Sequence, residues 1–510
     1  LANIGDEMEK TVIDLDKVSF SYGGQAEGCI KNINLKIKEG EFVLLTGQSG
    51  SGKTTIIRLI NGLIPHFFEG NLSGQVKILE VDTKTTSPGE LGRNVVSIFQ
   101  NPGNQFFATD STSEAAFACE NYGIEREMIK KRVKEAFKTF SSEKLMDRDM
   151  FSLSSGEKQK IAIIAAKTLN PEIYVFDEPS ANLDIHSVTE LKELMKKLKE
   201  AGHTVVISEH RLFYLRDLCD RCLIVNNGEI VKELFENDIK NIDEKDLEKY
   251  NLRMFDLEKI IFKPDREADE DDKKTDFEIR NLSFSYDASY PILQACNLKG
   301  SYGETIAIIG YNGTGKTTLG KIISGLLKNE DGEFYFEGRY VKQKDLYKSV
   351  YFVMQDADYQ LYSDSVISEL NLSGGFSVKR KDEELENIMK LLNIFELKEC
   401  HPQALSGGQK QRVTIAAAIA SNKRVIVFDE PTSGLDYNNM KAVSEAINTI
   451  RKNKVMNFVI SHDLEFLSRV ATKAVFIEEG KVSKTIPIKN NEDFELIKRF
   501  LLQREVERYA

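Results

Sequence analysis

Gly47-Gln48-Ser49-Gly50-Ser51-Gly52-Lys53-Thr54 follows the apolar run Phe42-Val43-Leu44-Leu45 with one residue, Thr46, between them. The octapeptide fits GxxxxGK[ST] at a strand-to-helix turn, the context that pattern requires. Its glycines let backbone N–H groups close around phosphate oxygens, and the helix N-terminus that follows adds partial positive charge. The pattern returns as Gly310-Tyr311-Asn312-Gly313-Thr314-Gly315-Lys316-Thr317. Lys53 and Lys316 are suited to reach β- and γ-phosphates, and Thr54 and Thr317 to ligate Mg²⁺. Two matches in register exclude an incidental glycine-rich turn.

Outward from these loops the chain repeats itself once. Lys53 recurs as Lys316 (316 − 53 = 263) and Gln100 as Gln355 (355 − 100 = 255). Ser154, Asp177 and His210 recur as Ser406, Asp429 and His462, each 252 residues on. Copy one therefore holds eleven extra residues between its Lys and its Ser. Eight of them precede Gln100, around Pro65-His66-Phe67-Phe68-Glu69-Gly70. Within a copy, compact runs such as Ile173–Phe176 and Thr204–Ile207 read as buried parallel strands, and Ser187–Glu200 has helical periodicity. Alternation of the two predicts an α/β fold with crossover helices. The expected organisation is domain 1 over 10–240, an appendage and acidic linker over 241–275, and domain 2 over 276–510. The stretch 264–276 carries seven acids and three bases with almost nothing apolar, so it reads as a solvated spacer.

Asp177 and Asp429 each end an apolar strand and are each followed by a glutamate. In P-loop enzymes an acid at that place holds the Mg²⁺ shell, and the next one, here Glu178 or Glu430, can polarise an attacking water as general base.

Leu405-Ser406-Gly407-Gly408-Gln409 resembles the signature of ATP-binding cassette (ABC) ATPases, and Leu153-Ser154-Ser155-Gly156-Glu157 is its relative in copy one. The order of tyrosine, P-loop, Gln, signature, Asp-Glu and His is complete in both copies. The resemblance implies two P-loop NTPase domains in tandem. Each would have a mainly parallel core sheet, an antiparallel β subdomain and a helical signature subdomain. It implies ATP and Mg²⁺ as ligands, with Tyr22 and Tyr286 stacking on adenine. Gly47, Gly50, Gly52, Lys53, Thr54 and Thr55 would cradle phosphate in copy one, as would Gly310, Gly313, Gly315, Lys316, Thr317 and Thr318 in copy two. Mg²⁺ would lie among Thr54, Gln100 and Asp177, and among Thr317, Gln355 and Asp429. Glu178 and Glu430 would act as bases, and His210 and His462 would contact the γ-phosphate. Ala181-Asn182-Leu183-Asp184 and Ser433-Gly434-Leu435-Asp436 would communicate between sites. Each ATP would be sandwiched between one copy's P-loop and the other's signature residues: Ser154 and Gly156, or Ser406, Gly408 and Gln409. That pairing could form within one chain or between two. The site on Lys316, completed by Ser155 in place of glycine, is expected to be the slower, because a Cβ there crowds phosphate or costs backbone freedom.

Phe99-Gln100-Asn101-Pro102-Gly103-Asn104-Gln105-Phe106-Phe107 resembles the FQNPxxQ segment of energy-coupling factor (ECF) transporter ATPases, with a looser match at Met354–Leu361. Ile207-Ser208-Glu209-His210-Arg211 and Asn61–Gly70 are also similar to ECF members with two fused ATPase domains. The resemblance implies uptake of a vitamin, vitamin precursor or transition-metal ion, with a transmembrane coupling subunit and a substrate-binding membrane subunit as partners. It places the chain peripherally on the cytoplasmic face of the membrane. Phe106-Phe107 is either core or a greasy groove for a partner helix. Three other classes of tandem ABC protein differ from this pattern or compete with it. Translation-factor ABC proteins carry a long basic arm where this chain has a short acidic linker. The ribosome-recycling type needs a cysteine-rich region that Leu1–Thr11 does not supply. Sugar importers also use fused ATPases but differ around the P-loop.

Composition is consistent with this. The chain has 510 residues, which at about 150 per domain allows three domains or two large ones. Its net charge of −11 argues against nucleic acid as the main partner. No apolar run reaches the roughly 18–20 residues of a membrane span, and Leu1–Lys10 does not read as a secretory signal. Six scattered cysteines fit a reducing compartment. Cys219 and Cys222 have no second pair to complete a zinc site, so they read as buried thiols. His66 reads as a loop residue.

Overall fold

The computed structural model describes residues 10–23, 29–181, 183–263, 274–286, 291–328, 331–373 and 382–502. Asn182, most of the acidic spacer and the first nine residues lie outside them. The chain divides into two compact units, Leu1–Asp256 and Leu257–Ala510.

In the first unit a six-stranded sheet runs Glu229–Phe235, Arg221–Asn226, Phe42–Thr46, Thr204–Ser208, Ile173–Asp177, Val95–Ile98. Only the Glu229–Phe235 edge is antiparallel. The strands read as unbroken apolar runs because both faces are covered. Phe42, Leu44, Tyr174, Phe176, Val205 and Ile207 point into one core. Val43, Leu45, Ile173, Val175 and Val206 point into the other. That alternation is the two-residue period of a strand with no solvent face. The second core lies under a four-stranded antiparallel sheet of Ile30–Lys38, Thr11–Tyr22, Gly70–Ile78 and Val81–Asp82. The first core carries the helices Ser111–Asn121, Arg126–Thr139 and Ser155–Leu169.

The second unit repeats this order. Its six-stranded sheet runs Val350–Val353, Val425–Asp429, Met456–Ile460, Thr305–Gly310, Lys473–Glu478, Lys481–Pro487. Its antiparallel sheet is Pro291–Gly300, Phe277–Ser285, Glu333–Phe336 and Arg339–Val341. Helices Val366–Ser373, Asp382–Leu391 and Gly407–Ala420 match the helical layer of the first unit.

The chain between the copies is divided in its packing. Ile239, Leu247, Leu252 and Phe255 join the core of the first unit, where the Arg216 guanidinium bonds Asp256 at 3.0 Å. Residues from Leu257 onward belong to the second unit. Among the described residues no helix is long and apolar enough to cross a membrane.

Candidate active sites

Each phosphate loop leaves the carboxyl end of a central strand and turns into a helix, Lys53–Ile60 or Lys316–Ile323. Two glycines carry the turn. Gly52 has φ 106° and Gly315 φ 94°, so both sit in the left-handed region that side chains disfavour. Gly47 also allows close approach, since a Cβ there would stand 2.0 Å from the Val225 carbonyl. The Lys53 ammonium lies over the loop and donates to the carbonyls of Gly47 (3.0 Å) and Gln48 (2.8 Å). Lys316 does the same to Gly310 (2.9 Å) and Tyr311 (2.8 Å).

The acids end the next strand but one, beyond Thr204–Ser208 in the first unit and Met456–Ile460 in the second. The Thr54 hydroxyl donates to Asp177 Oδ1 at 3.4 Å. Burial, and next the carboxylate of Glu178, push the Asp177 carboxyl up to about 6 from its ordinary 3.8, against Thr54, Lys53 and Arg58. Burial raises Asp429 likewise, opposed by Thr317, Lys316 and Lys321. These donor sets fit a hard cation: hydroxyl and carboxylate oxygens lie together, and burial makes a bound positive charge favourable.

Glu178 and Glu430 share an unusual backbone, with φ 47° and 48° immediately before a proline. Their N–H groups continue the sheet ladder to Ser208 (2.9 Å) and Ile460 (2.9 Å). A non-glycine residue at positive φ costs about 1–3 kcal/mol, and it recurs here at matching positions of both units. His210 Nε2 lies 3.2 Å from Glu178 Oε1, and Gln100 Nε2 donates to Glu178 Oε2 at 3.4 Å. In the second unit His462 Nε2 lies 3.8 Å from Glu430 Oε1. There the Ser461 hydroxyl also donates to Glu430 Oε2 at 3.3 Å. Gln355 is exposed.

The remaining expected residues are placed as follows. Tyr22 is half-buried, and its hydroxyl bonds Thr55 (3.2 Å) and accepts from Arg58 (2.8 Å). The same Arg58 lies 4.0 Å from the centre of the Phe68 ring, so part of the extra loop of copy one packs beside this tyrosine. Tyr286 is exposed, and its hydroxyl reaches Thr318 at 3.4 Å. Ser154 and Ser406 cap the helices Ser155–Leu169 and Gly407–Ala420 through capping boxes with Glu157 and Gln409, and Gly156 and Gly408 occupy the first turns. The expected backbone cost of Ser155 is not found. Neither Ser155 nor Gly407 has positive φ, and a Cβ at Gly407 meets nothing within 4 Å. Cys219 and Cys222 are buried, which raises both thiols. His66 bonds the Thr83 carbonyl at 2.8 Å, and the described residues contain no group of three or more His, Cys, Asp or Glu side chains placed to hold a metal.

Glu209 and Arg211, which the sequence shows only as part of a resemblance, brace the site. Glu209 is buried. One of its carboxylate oxygens accepts from Ser180 N (3.2 Å) and Tyr214 OH (2.8 Å), and the other from His210 N (2.8 Å). Arg211 donates to the carbonyls of Ser180 (3.2 Å) and Leu183 (2.7 Å). Together they clamp the segment after Glu178 to the loop carrying His210. In the second unit Asp463 does this by accepting from Thr432 Oγ1 at 2.8 Å. The signal was in the sequence: Glu-His-Arg stands where copy two has Ser-His-Asp, so the carboxylate has moved across the histidine and a cation fills its old place.

Two predictions follow from this geometry. A carboxyl raised on folding stabilises the fold while protonated; that contribution is whole below 3.8, fades toward about 6 and is gone above. Asp177→Asn should therefore abolish turnover yet stabilise the metal-free chain at pH 7.5 by about 1–3 kcal/mol, read from denaturant midpoints. A lower midpoint would contradict the burial argument. Arg211→Asp alone should cut ATP hydrolysis about tenfold or more by crowding two buried carboxylates. Glu209→Ser added to it, restoring the order of the second unit, should recover part of that loss. A double variant no better than the single would refute the exchange.

The sequence pattern of the ABC transporter family matches residues 30–181 and 293–433. A provisionally named ABC transporter ATP-binding protein of Treponema denticola is 38% identical over 490 residues, 95% of this chain and 99% of its own. One from Clostridium perfringens is 31% identical, covering 97% of this chain and 94% of its own. Among solved structures, the archaeal ribosome recycling factor aABCE1, crystallised with the ribosomal stalk protein aP1, superposes with TM-score 0.63 at 25% identity. That match covers 96% of this chain and 92% of the other. The repeated phosphate loops and the acids at their strand ends thus belong to a tandem ATPase, and the chain is a member of the ABC transporter family.

Proposed function

We propose that the chain is the ATP-hydrolysing motor of a membrane importer, of the ECF type, bound peripherally at the cytoplasmic face of the membrane. One observation carries this reading: a single loop joins the catalytic carboxylate to an exposed aromatic. At one end Gln100 reaches Glu178. At the other, Phe106 packs against the core while Phe107, 75% exposed, stacks on Phe117 at 4.8 Å. Gln105 is part of the fastening, since its Oε1 accepts from Phe99 N at 3.1 Å. Glu114 accepts from the N–H groups of Phe107 and Ala108, both at 2.8 Å. The second unit builds the same device with Gln360, Leu361, Tyr362 and Glu369. Exposed aromatics on a braced loop suit a groove for an amphipathic helix of a transmembrane coupling subunit, with a substrate-binding membrane subunit beyond it.

In this reading each ATP lies between one P-loop and the signature of the other copy, where the helix N-terminus and capping serine complete the phosphate cage. Glu178 or Glu430 takes a proton from water as it adds to the γ-phosphorus and the bond to the β-phosphate oxygen breaks. His210 or His462, held beside that carboxylate, contacts the γ-phosphate. Thr54, Gln100 and Asp177, or Thr317, Gln355 and Asp429, would hold Mg²⁺, which supplies neutralisation of phosphate charge when bound.

The signatures differ in charge. Burial works against Glu157, but hydrogen bonds from the Ser154 amide and hydroxyl hold its carboxyl below the ordinary range. The site on Lys316 would thus be completed by an anion where the other meets neutral Gln409. This repulsion stands beside crowding of the phosphate by the Ser155 Cβ as a reason for that site to be the slower.

The likeness to a ribosome recycling factor gives a second reading, action on ribosomes, equal to the first on fold alone. Phe107→Ser with Tyr362→Ser should abolish co-purification with membrane proteins while leaving nucleotide binding intact. Retained membrane assembly, or co-sedimentation with ribosomes instead, would overturn the importer reading. Glu157→Gln should lower the ATP concentration for half-maximal hydrolysis about twofold to tenfold, as removal of one nearby like charge predicts. No change would count against the charge asymmetry.

A further inference from the structure

The second residue of the second phosphate loop, Tyr311, is tied to the C-terminal helix Asn491–Leu502. Its ring stacks on Phe500 with centroids 5.1 Å apart and planes 23° apart. Its hydroxyl donates to the Phe500 carbonyl at 2.7 Å. Phe500 in turn meets Phe476 edge-on at 5.0 Å, on the strand whose Ile477 pairs with Gly310 at the start of the loop. The Tyr311 carbonyl also accepts from the Lys316 ammonium and from the Thr314 hydroxyl, each at 2.8 Å. One tyrosine therefore connects the phosphate-binding lysine to a helix about 190 residues further on (500 − 311 = 189).

The same helix holds the segment through which the chain enters the second unit. Phe262 stacks on Phe494 at 5.8 Å, and its N–H donates to Asn491 Oδ1 at 2.8 Å. Lys498 is buried, donates to the Glu258 carbonyl at 2.7 Å and pairs with Glu495 at 3.1 Å. The first unit has Gln48 in place of Tyr311 and Glu248 in place of Phe500 (500 − 252 = 248), so it has no ring pair at these positions.

We propose that Tyr311 is a positioning residue by which the C-terminal helix sets the second phosphate loop, so that nucleotide occupancy of that loop and the seating of Leu257–Lys263 are coupled through one helix. A packed aromatic pair with a hydrogen bond is stiff enough to transmit such a bias, and the bias is reciprocal. The inference rests on the reading of the second loop as a nucleotide site.

The test uses the full chain carrying Lys53→Ala, with a fluorescent ATP analogue as the probe. Tyr311→Gln and Phe500→Ala should each weaken binding about threefold to tenfold, as loss of one stacked and hydrogen-bonded contact predicts. Their combination should be no weaker than either alone, since both break one contact. Tyr311→Phe, which keeps the ring, should fall between. Adding ATP should slow amide exchange in 491–502 and in 257–263, and Phe500→Ala should remove that protection. Full affinity in Phe500→Ala, multiplicative losses in the double variant, or unchanged exchange would overturn the coupling. Lys316→Ala is the control: if it still binds, the nucleotide reading of this loop falls and takes the inference with it.

Discussion

Across adjacent parallel ladders Leu45 and Asp177 both face Ser208, and this register fixes where all the chemistry of the first unit can lie. Ile308 and Asp429 face Ile460 in the same way. A sheet covered on both faces leaves few places along its strands for a polar side chain, buried Asn457 being an exception. Polar residues collect at the strand ends, and parallel strands present those ends along one edge. The phosphate loop, the aspartate and the histidine loop are therefore neighbours although they stand far apart in sequence. The Glu209 N–H donates to the Leu45 carbonyl at 3.1 Å, so even the loop bearing His210 is an extension of the ladder.

Such an edge concentrates cost as well as function. Asp177 is half-buried beside a second carboxylate, and Glu178 turns at positive φ before a proline. Each would be unstable in an isolated turn. They persist because the strand on one side and the clamp of Glu209 and Arg211 on the other leave the backbone little choice. The strain serves the site, since the turn at Glu178 swings its side chain back between His210 and Gln100 instead of along the strand.

Much of this was legible in the sequence. The phosphate loops, the strand runs and the terminal aspartates are local patterns, and local patterns survive without knowledge of the fold. Phe42–Leu45, Ile173–Phe176 and Thr204–Ile207 lie within strands one residue longer. What escaped depends on long-range contacts. Gln105 shows in the sequence only as a position of the FQNPxxQ segment, yet its side-chain oxygen braces the Phe99 backbone. Phe106 and Phe107 are identical in type, and only the packing separates the half-buried ring from the exposed one. Ser155 invites an argument from lost glycine freedom, but a helix N-terminus never required that freedom. The stacking of Tyr311 on Phe500 joins positions 189 residues apart with no motif at either end.

Backbone symmetry and side-chain asymmetry act at different levels in this chain. Strand order, the positive-φ glutamates, the capping boxes and the two braced loops repeat because main-chain geometry enforces them with many side chains. The differences fall on single residues touching those repeated frames: Glu157 against Gln409, Glu209 and Arg211 against Ser461 and Asp463, Gln48 against Tyr311. Each changes a charge or a ring and leaves the ladder beneath it untouched. Two sites can then share one geometry and still differ in electrostatics and mechanical support. A displacement of about 1 kcal/mol at one loop alters an occupancy about fivefold without altering the fold. The two ATPase units therefore share one scaffold and differ in the side chains set on it.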